Sequence, residues 1–197
     1  MSTFFDEMKA SFEDVPVDDA SKKIDTTAFL EASESLVKLF DLLGNSAFTV
    51  VQKDLTGNIT KIRKRYTAAT TESATLQDLV QNERGSGHKS ASEGLLWLNR
   101  GLQFTAQALR ETVDHPELEL TKTFTDAYSK TLTKYHGMLI RPVFKLAMKA
   151  CPYRKDFFAK LGADQEKVHK QLLAWLTALE KIVAILLDFL GTACKDL

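Results

Sequence analysis

The chain has 197 residues, of which 44% are hydrophobic and 26% charged, as is usual for one globular domain with a sizeable core. Its 26 acidic and 26 basic side chains balance, which excludes the strong positive charge that attracts nucleic acid. A partner must therefore be recognised at a particular site, and we expect no nucleic-acid partner.

The N-terminal segment, MSTFFDEMKASFEDVPVDD, carries acidic residues where a secretory signal peptide has a basic start and an apolar run. The two cysteines, Cys151 and Cys194, are too few for a disulfide framework and have no metal-ligand spacing. Both observations favour a reducing, cytoplasmic setting.

Apolar residues recur at helical spacing along most of the chain, beginning with a stripe that Gly44 ends. One long predicted helix contains Pro142, which should kink it or force a local adjustment because proline removes a backbone hydrogen bond. The predicted helices cover about residues 29–43, 48–66, 75–83, 91–113, 122–150, 152–162 and 164–192.

The last of these helices is the most apolar, but Glu180, Lys181 and Asp188 interrupt it, which indicates a core helix and not a bilayer span. No segment alternates polar and apolar residues as a half-buried strand does, and no glycine-rich phosphate loop is present. The sequence therefore predicts an all-α fold with about eight helices in a single domain, residues 1–197.

The segment DLTGNITKI, residues 54–62, places weak helix formers in the middle of a predicted helix, where a glycine costs about 1 kcal/mol. If the segment is helical, Asp54, Asn58 and Lys61 lie on one face. A carboxylate, an amide and an ammonium group suit a ligand with many hydroxyls, although the spacing alone favours a solvated face. Gly57 is expected to let a neighbouring group pack closely beside them.

Two further residues have both a structural and a functional interpretation. Trp97 lies among leucines and suits the core, but an indole is also a platform for a sugar ring, with Arg100 one turn away to orient an acidic group. His136 is either a structural histidine or a hydrogen-bonding group for a ligand amide. No catalytic or metal-binding motif accompanies them, so we expect neither an enzyme nor a cofactor.

Four motifs occur in a characteristic order between Phe29 and Phe158, namely DLTGNITKI, LLWLNRGL, KYHGMLIRPVF and PYRKDFF. Together they make the chain resemble the glycolipid transfer protein family, and its fungal heterokaryon-incompatibility members in particular. The resemblance implies a two-layer all-α sandwich around a lipid pocket. It also implies a non-enzymatic protein that binds glycosphingolipids and transfers them between membranes.

The resemblance assigns a headgroup site to this chain. It implies that Asp54, Asn58 and Lys61 hydrogen-bond the first sugar and the ceramide amide. Trp97 would stack beneath the sugar, and His136 would bond the ceramide amide. Members that carry ceramide-1-phosphate have cationic residues at the positions of Asn58 and Trp97, so a neutral sugar is expected here. The residues implied to line the pocket for the ceramide chains are Phe40, Phe48, Val51, Phe104, Leu132, Phe144 and Phe157.

Membrane contact is implied at Met138, Lys149 and Tyr153, although the first two replace aromatic residues of animal members. Glu93 stands where those members have an apolar residue, which is expected to affect headgroup orientation. We expect a cytoplasmic monomer that is transiently peripheral to membranes. The alternative function is a glycosphingolipid sensor that signals to a protein partner, with transfer incidental.

Overall fold

Helices account for nearly all of the regular structure. The computed structural model describes residues 1–197 and contains eight α-helices, three short 3-10 helices and three isolated bridges, which confirms the all-α prediction. The α-helices are α1 (Thr26–Leu42), α2 (Thr49–Ala68), α3 (Leu76–Gly85), α4 (Ser90–Asp114), α5 (Leu120–Lys130), α6 (Ile140–Lys149), α7 (Arg154–Leu161) and α8 (Gln165–Ala193). The 3-10 helices are Phe12–Asp14, Ser46–Phe48 and Thr71–Ser73.

Short polar side chains begin several of these helices. Asp25, Thr75 and Asp164 accept hydrogen bonds from backbone N–H groups in the first turns of α1, α3 and α8, which would otherwise lack partners. Beyond the end of α1, Gly44 has a φ of 67°, a left-handed conformation that favours glycine. These residues fix where α1, α3 and α8 begin and where α1 ends.

The predicted helix over residues 122–150 is wrong, because the structure divides it into α5 and α6. Residues 131–139 form successive turns between the two helices. Pro142 is the third residue of α6, where its missing N–H would have had no acceptor within the helix. The proline therefore lies in the first turn of a new helix and does not kink a continuous one.

Helices α2 and α4 approach each other closely at two glycines of α4. A Cβ atom at Gly101 would lie 2.7 Å from Leu55 Cδ2, and one at Gly94 would lie 3.1 Å from Lys61 Cβ and 3.2 Å from the Asn58 carbonyl oxygen. In contrast, a Cβ at Gly57 would meet nothing within 4 Å, so the expected close packing beside Gly57 is wrong. The glycines of α4 bring the polar face of α2 against this helix.

The core is continuous and centred on α4, which packs against α2, α3, α5 and α8. Leu95, Leu98 and Leu102 of α4 are fully buried, as is Trp175 of α8, whose ring lies 5.8 Å from that of Phe12. None of the helices combines the length and the apolar run that crossing a bilayer requires.

Candidate functional site

A pocket of about 340 Å³ lies where α2, α4, α6 and the 131–139 segment meet. This volume is within the range of small-molecule sites, roughly 300–1,000 Å³. The pocket contains all five of the residues that the sequence assigned to a headgroup site, together with four apolar side chains. Its lining residues are Val50, Asp54, Asn58, Lys61, Trp97, His136, Ile140, Val143 and Phe144.

Asn58 is the polar residue of α2 whose side chain is held on both sides by hydrogen bonds within the helix. The Asn58 amide nitrogen donates to the Asp54 carbonyl oxygen at 2.9 Å, and its Oδ1 accepts from Lys61 Nζ at 3.4 Å. Asn58 is buried, and the absence of a side chain at Gly94 leaves room for it beside α4. The face of α2 that was predicted from spacing is therefore a wall of the pocket and not a fully solvated surface.

Asp54 lines the pocket, although the residue as a whole remains exposed. The protein around it removes water and raises the pKa of this carboxyl above its usual value, and the attraction of Lys61 opposes that effect only in part. A partly dehydrated carboxylate favours hydroxyl or amide donors from a ligand, since such donors replace hydration that the protein has removed.

The Trp97 indole is half-buried and forms an aromatic side of the pocket. It lies nearly parallel to the His136 ring, with centroids 6.0 Å apart, and edge-on to the Tyr135 ring at 6.4 Å. The Arg100 guanidinium carbon lies 4.8 Å from the centre of the Trp97 ring and 3.8 Å from that of Tyr135. Arg100 thus packs against these aromatic rings and forms no ion pair with the acidic group that it was expected to orient.

His136 is buried and lines the pocket from the segment between α5 and α6. Its Nδ1 lies 3.1 Å from the hydroxyl of Tyr128, and its ring lies 4.3 Å from that of Phe144. Burial lowers the pKa of His136, and the positive charge of Arg141 lowers it further. The ring is therefore neutral at pH 7 and presents its second nitrogen, Nε2, for another hydrogen bond.

The seven residues predicted to line a pocket for lipid chains are all buried. The rings of Phe40 and Phe48 lie 6.0 Å apart, and Phe124 connects Phe48 to Phe104 at centroid distances of 6.5 and 5.9 Å. Among the seven, Phe144 also lines the 340 Å³ pocket. In this structure these residues pack as a core that continues inward from the polar site.

An exposed apolar surface lies beside the pocket and was only partly predicted. Met138 and Tyr153, which the sequence assigned to membrane contact, are 85% and 68% exposed. Four neighbouring apolar residues were not predicted to belong to this surface, although positions 139, 143 and 146 have the spacing of one helical face. These four exposed residues are Leu139, Ile140, Val143 and Leu146. We call the six residues together the apolar rim; Ile140 and Val143 belong to both the rim and the pocket.

A second groove, between α1 and α2, is larger but chemically less suited to a sugar. It is lined mostly by exposed or half-exposed charged and threonine side chains, and two of these, Arg63 and Glu34, form an ion pair at 2.7 Å. It has no aromatic platform and none of the predicted site residues. The pocket between α2 and α4 is therefore the better candidate for the functional site.

Comparisons with known proteins point to the same region. A family model described as glycolipid transfer protein matches residues 24–163. The chain is 56% identical over 190 residues to a glycolipid transfer protein of Aureobasidium melanogenum, covering 96% of this chain and 94% of the relative. The crystal structure of HET-C2, a fungal glycolipid transfer protein, superposes with a TM-score of 0.94 at 50% identity over 96% of this chain and 97% of that one.

A third comparison is with the structure of FAPP2, which is described as selecting simple glycosphingolipids with the same fold. It matches with a TM-score of 0.88 and 35% identity, covering 98% of this chain and 97% of that one. These matches confirm the resemblance that the four sequence motifs indicated.

Proposed function

The chain belongs to the glycolipid transfer protein family, and we propose that it binds one glycosphingolipid and carries it between membranes without making or breaking a covalent bond. Members of this family are lipid transfer proteins and not enzymes. The observation that carries the proposal is the single pocket in which three polar residues of α2, an indole and a neutral histidine meet beside the apolar rim. No observation favours the sensor alternative.

The polar side of the pocket is the part that selects the headgroup. Asp54, Asn58 and Lys61 offer both donors and acceptors to sugar hydroxyls, and Trp97 offers a flat apolar face to the ring. The pocket contains one carboxylate and one ammonium group, which suits a neutral sugar better than a phosphate that attracts several cations. His136 completes the site as the partner of the ceramide amide.

The apolar part of the site receives the ceramide chains. Two chains exposed to water cost about 0.8 kcal/mol per CH₂, so on the order of 20 kcal/mol opposes the free escape of such a lipid from a bilayer. Phe40, Phe48, Val51 and Phe104, with the other buried residues of the predicted chain pocket, replace water around the chains. Because these side chains are in contact in the structure, binding of the chains requires the core to open between them.

The apolar rim is the surface that contacts a membrane, together with the exposed Lys149. Met138, Leu139 and Leu146 bury apolar area in the bilayer interface, and the lysine remains near the headgroups. On this proposal residues 1–197 form one lipid transfer domain that acts as a monomer, in the cytoplasm, and associates with membranes only transiently.

Transfer of fluorescent glucosylceramide between vesicles tests the proposal. The wild-type protein should accelerate transfer, and Asp54→Asn and Trp97→Ala should each slow it at least about tenfold, because one loses a charge-assisted acceptor and the other loses the sugar platform. Asp188→Asn, an exposed change on α8, is the matched control and should transfer at the wild-type rate. Absence of wild-type transfer would refute the function, and normal transfer by both site variants would refute the site.

A further inference from the structure

We propose that Arg141, assisted by Tyr128, is a positioning residue that holds His136 in the orientation needed to bind the ligand amide. The inference rests on the proposed function, because it takes His136 to be a ligand-binding side chain. It adds two residues to the site that do not line the pocket, and it connects helix α6 to headgroup recognition.

Arg141 fixes the backbone that carries His136. Its Nε lies 2.8 Å from the His136 carbonyl oxygen and 3.1 Å from the Thr133 carbonyl oxygen, so one N–H group is shared between both acceptors. These carbonyl groups belong to the 131–139 segment, which has no regular helix, and no backbone N–H group donates to either of them. Arg141 is half-buried, and its guanidinium supplies the hydrogen bonds that a helical backbone would otherwise have supplied.

Tyr128 fixes the ring of the same histidine. The Tyr128 hydroxyl lies 3.1 Å from His136 Nδ1, and Tyr128 itself is 1% exposed. Its ring lies nearly parallel to that of Phe144 at 5.6 Å, and Phe144 in turn contacts the His136 ring. Arg141 and Phe144 are three residues apart on α6 and therefore share a face, so this helix holds both the backbone and the ring of His136.

This arrangement favours one chemical form of His136. In this form the neutral ring accepts a hydrogen bond at Nδ1 from the Tyr128 hydroxyl and carries its own proton on Nε2. The Nε2–H group then donates a hydrogen bond to an amide carbonyl in the pocket. The charged groups around the ring are Arg141 from α6, Asp54 and Lys61 from α2, and Arg100 from α4, which lies against the Trp97 ring that stacks on His136. Arg141 disfavours a second proton on the ring, which would remove the acceptor at Nδ1 and weaken the bond with Tyr128.

Equilibrium binding of two lipids tests the role of Arg141. The first lipid is glucosylceramide, and the second is a glucosyl dialkylglycerol, which has the same sugar and two ether-linked chains but neither an amide nor an ester carbonyl. Arg141→Gln is expected to weaken the binding of glucosylceramide about tenfold, since a misplaced His136 loses its hydrogen bond, and to leave the binding of the dialkylglycerol lipid unchanged. Lys145→Gln removes a charge from an exposed position of the same helix and is the matched control.

Nitrogen NMR of the His136 ring gives a second readout that a merely structural role would not change. The wild-type spectrum should report the neutral form with its proton on Nε2, and Tyr128→Phe, which removes one oxygen atom, should yield a mixture of the two neutral forms. Arg141→Gln should raise the pKa of His136 relative to the wild type, whereas Lys145→Gln should not. His136→Gln assigns the signals among the four histidines.

The possible results separate the two proposals. If the wild-type protein binds neither lipid, the proposed function is wrong and the positioning role is lost with it. If the wild type binds glucosylceramide and Arg141→Gln binds it equally well, or loses both lipids by the same factor, the positioning role alone is overturned. A His136 spectrum that is unchanged in both Arg141→Gln and Tyr128→Phe would overturn it as well.

Discussion

On the proposed function, Asp54 is a binding residue whose ionised form is disfavoured until a ligand is bound. Its carboxyl loses hydration to the surrounding protein, and attraction to Lys61 compensates for this only in part. The folded protein therefore favours the protonated form of Asp54 more than the unfolded chain does. A sugar hydroxyl that donates to the carboxylate restores the lost interaction, so the residue contributes more to binding than to folding.

We therefore expect Asp54→Asn to raise the thermal midpoint of the ligand-free protein at pH 7. The pKa of Asp54 is higher in the folded than in the unfolded state. At a pH above the pKa of the unfolded state, ionisation of Asp54 therefore lowers the free energy of unfolding, and asparagine, which does not ionise, avoids this loss. The difference in thermal midpoint between Asp54→Asn and the wild type should therefore disappear as the pH falls below about 3.8, because Asp54 is then protonated in both the folded and the unfolded state.

Calorimetry of the two proteins between about pH 3 and pH 8 measures this difference. Asp188→Asn, at an exposed position of α8, controls for the general loss of a negative charge. A thermal midpoint of Asp54→Asn below that of the wild type at pH 7 would contradict the prediction.

At the scale of helices, the site depends on two neighbouring arrangements. The first is the close approach of α2 and α4 at Gly94, which places Asn58 and Lys61 beside the helix that carries Trp97. The second is the break between α5 and α6, which places His136 on a segment of turns that lines the same pocket as Asn58 and Lys61. In a continuous helix over residues 122–150, His136 would lie on a regular helical turn and not on the irregular segment that lines the pocket.

The contact between α2 and α4 can be tested with two glycines of different surroundings. Gly94→Ala should weaken glucosylceramide binding several-fold, because the new Cβ would lie 3.2 Å from the Asn58 carbonyl oxygen and push α2 away from α4. Gly57→Ala adds the same methyl group where nothing lies within 4 Å. It should leave binding unchanged and stabilise α2 by about 0.5–1 kcal/mol, since alanine is the better helix former.

Chemical denaturation and binding measured on both variants check these two outcomes. Equal binding by Gly94→Ala and Gly57→Ala would mean that the separation of α2 and α4 does not control the site.

The apolar rim is the surface that we propose binds to membranes. Leu139→Glu and Leu146→Glu should each reduce binding to vesicles about tenfold or more, because burying one leucine side chain contributes roughly 1.5–3 kcal/mol. Leu187→Glu is the matched control, as Leu187 is a 41% exposed leucine on α8, outside the rim. Vesicle sedimentation measures the effect, and an equal loss in the control variant would show that the rim has no special role.

For the whole molecule, helical periodicity predicted the fold class and most of the helices, and the family motifs named five residues that lie in one pocket. Periodicity did not predict the break at 131–139, because Leu132, Tyr135 and Leu139 keep the apolar spacing of a helix through the turns. It also did not separate the apolar rim from the core. Hydrophobicity identifies a face but does not tell whether protein, lipid or water covers it.

Ile140 and Val143 line the pocket and also belong to the apolar rim, which has a consequence for the direction of transport. On the proposed function, a lipid enters and leaves the pocket through the same opening, beside Ile140 and Val143, while the protein is bound to the membrane in the same orientation. Each step of loading is then the reverse of a step of unloading, and no energy source is coupled to either. Such a protein equilibrates lipid between two membranes, and the net flux runs toward whichever membrane holds the lipid at the lower chemical potential.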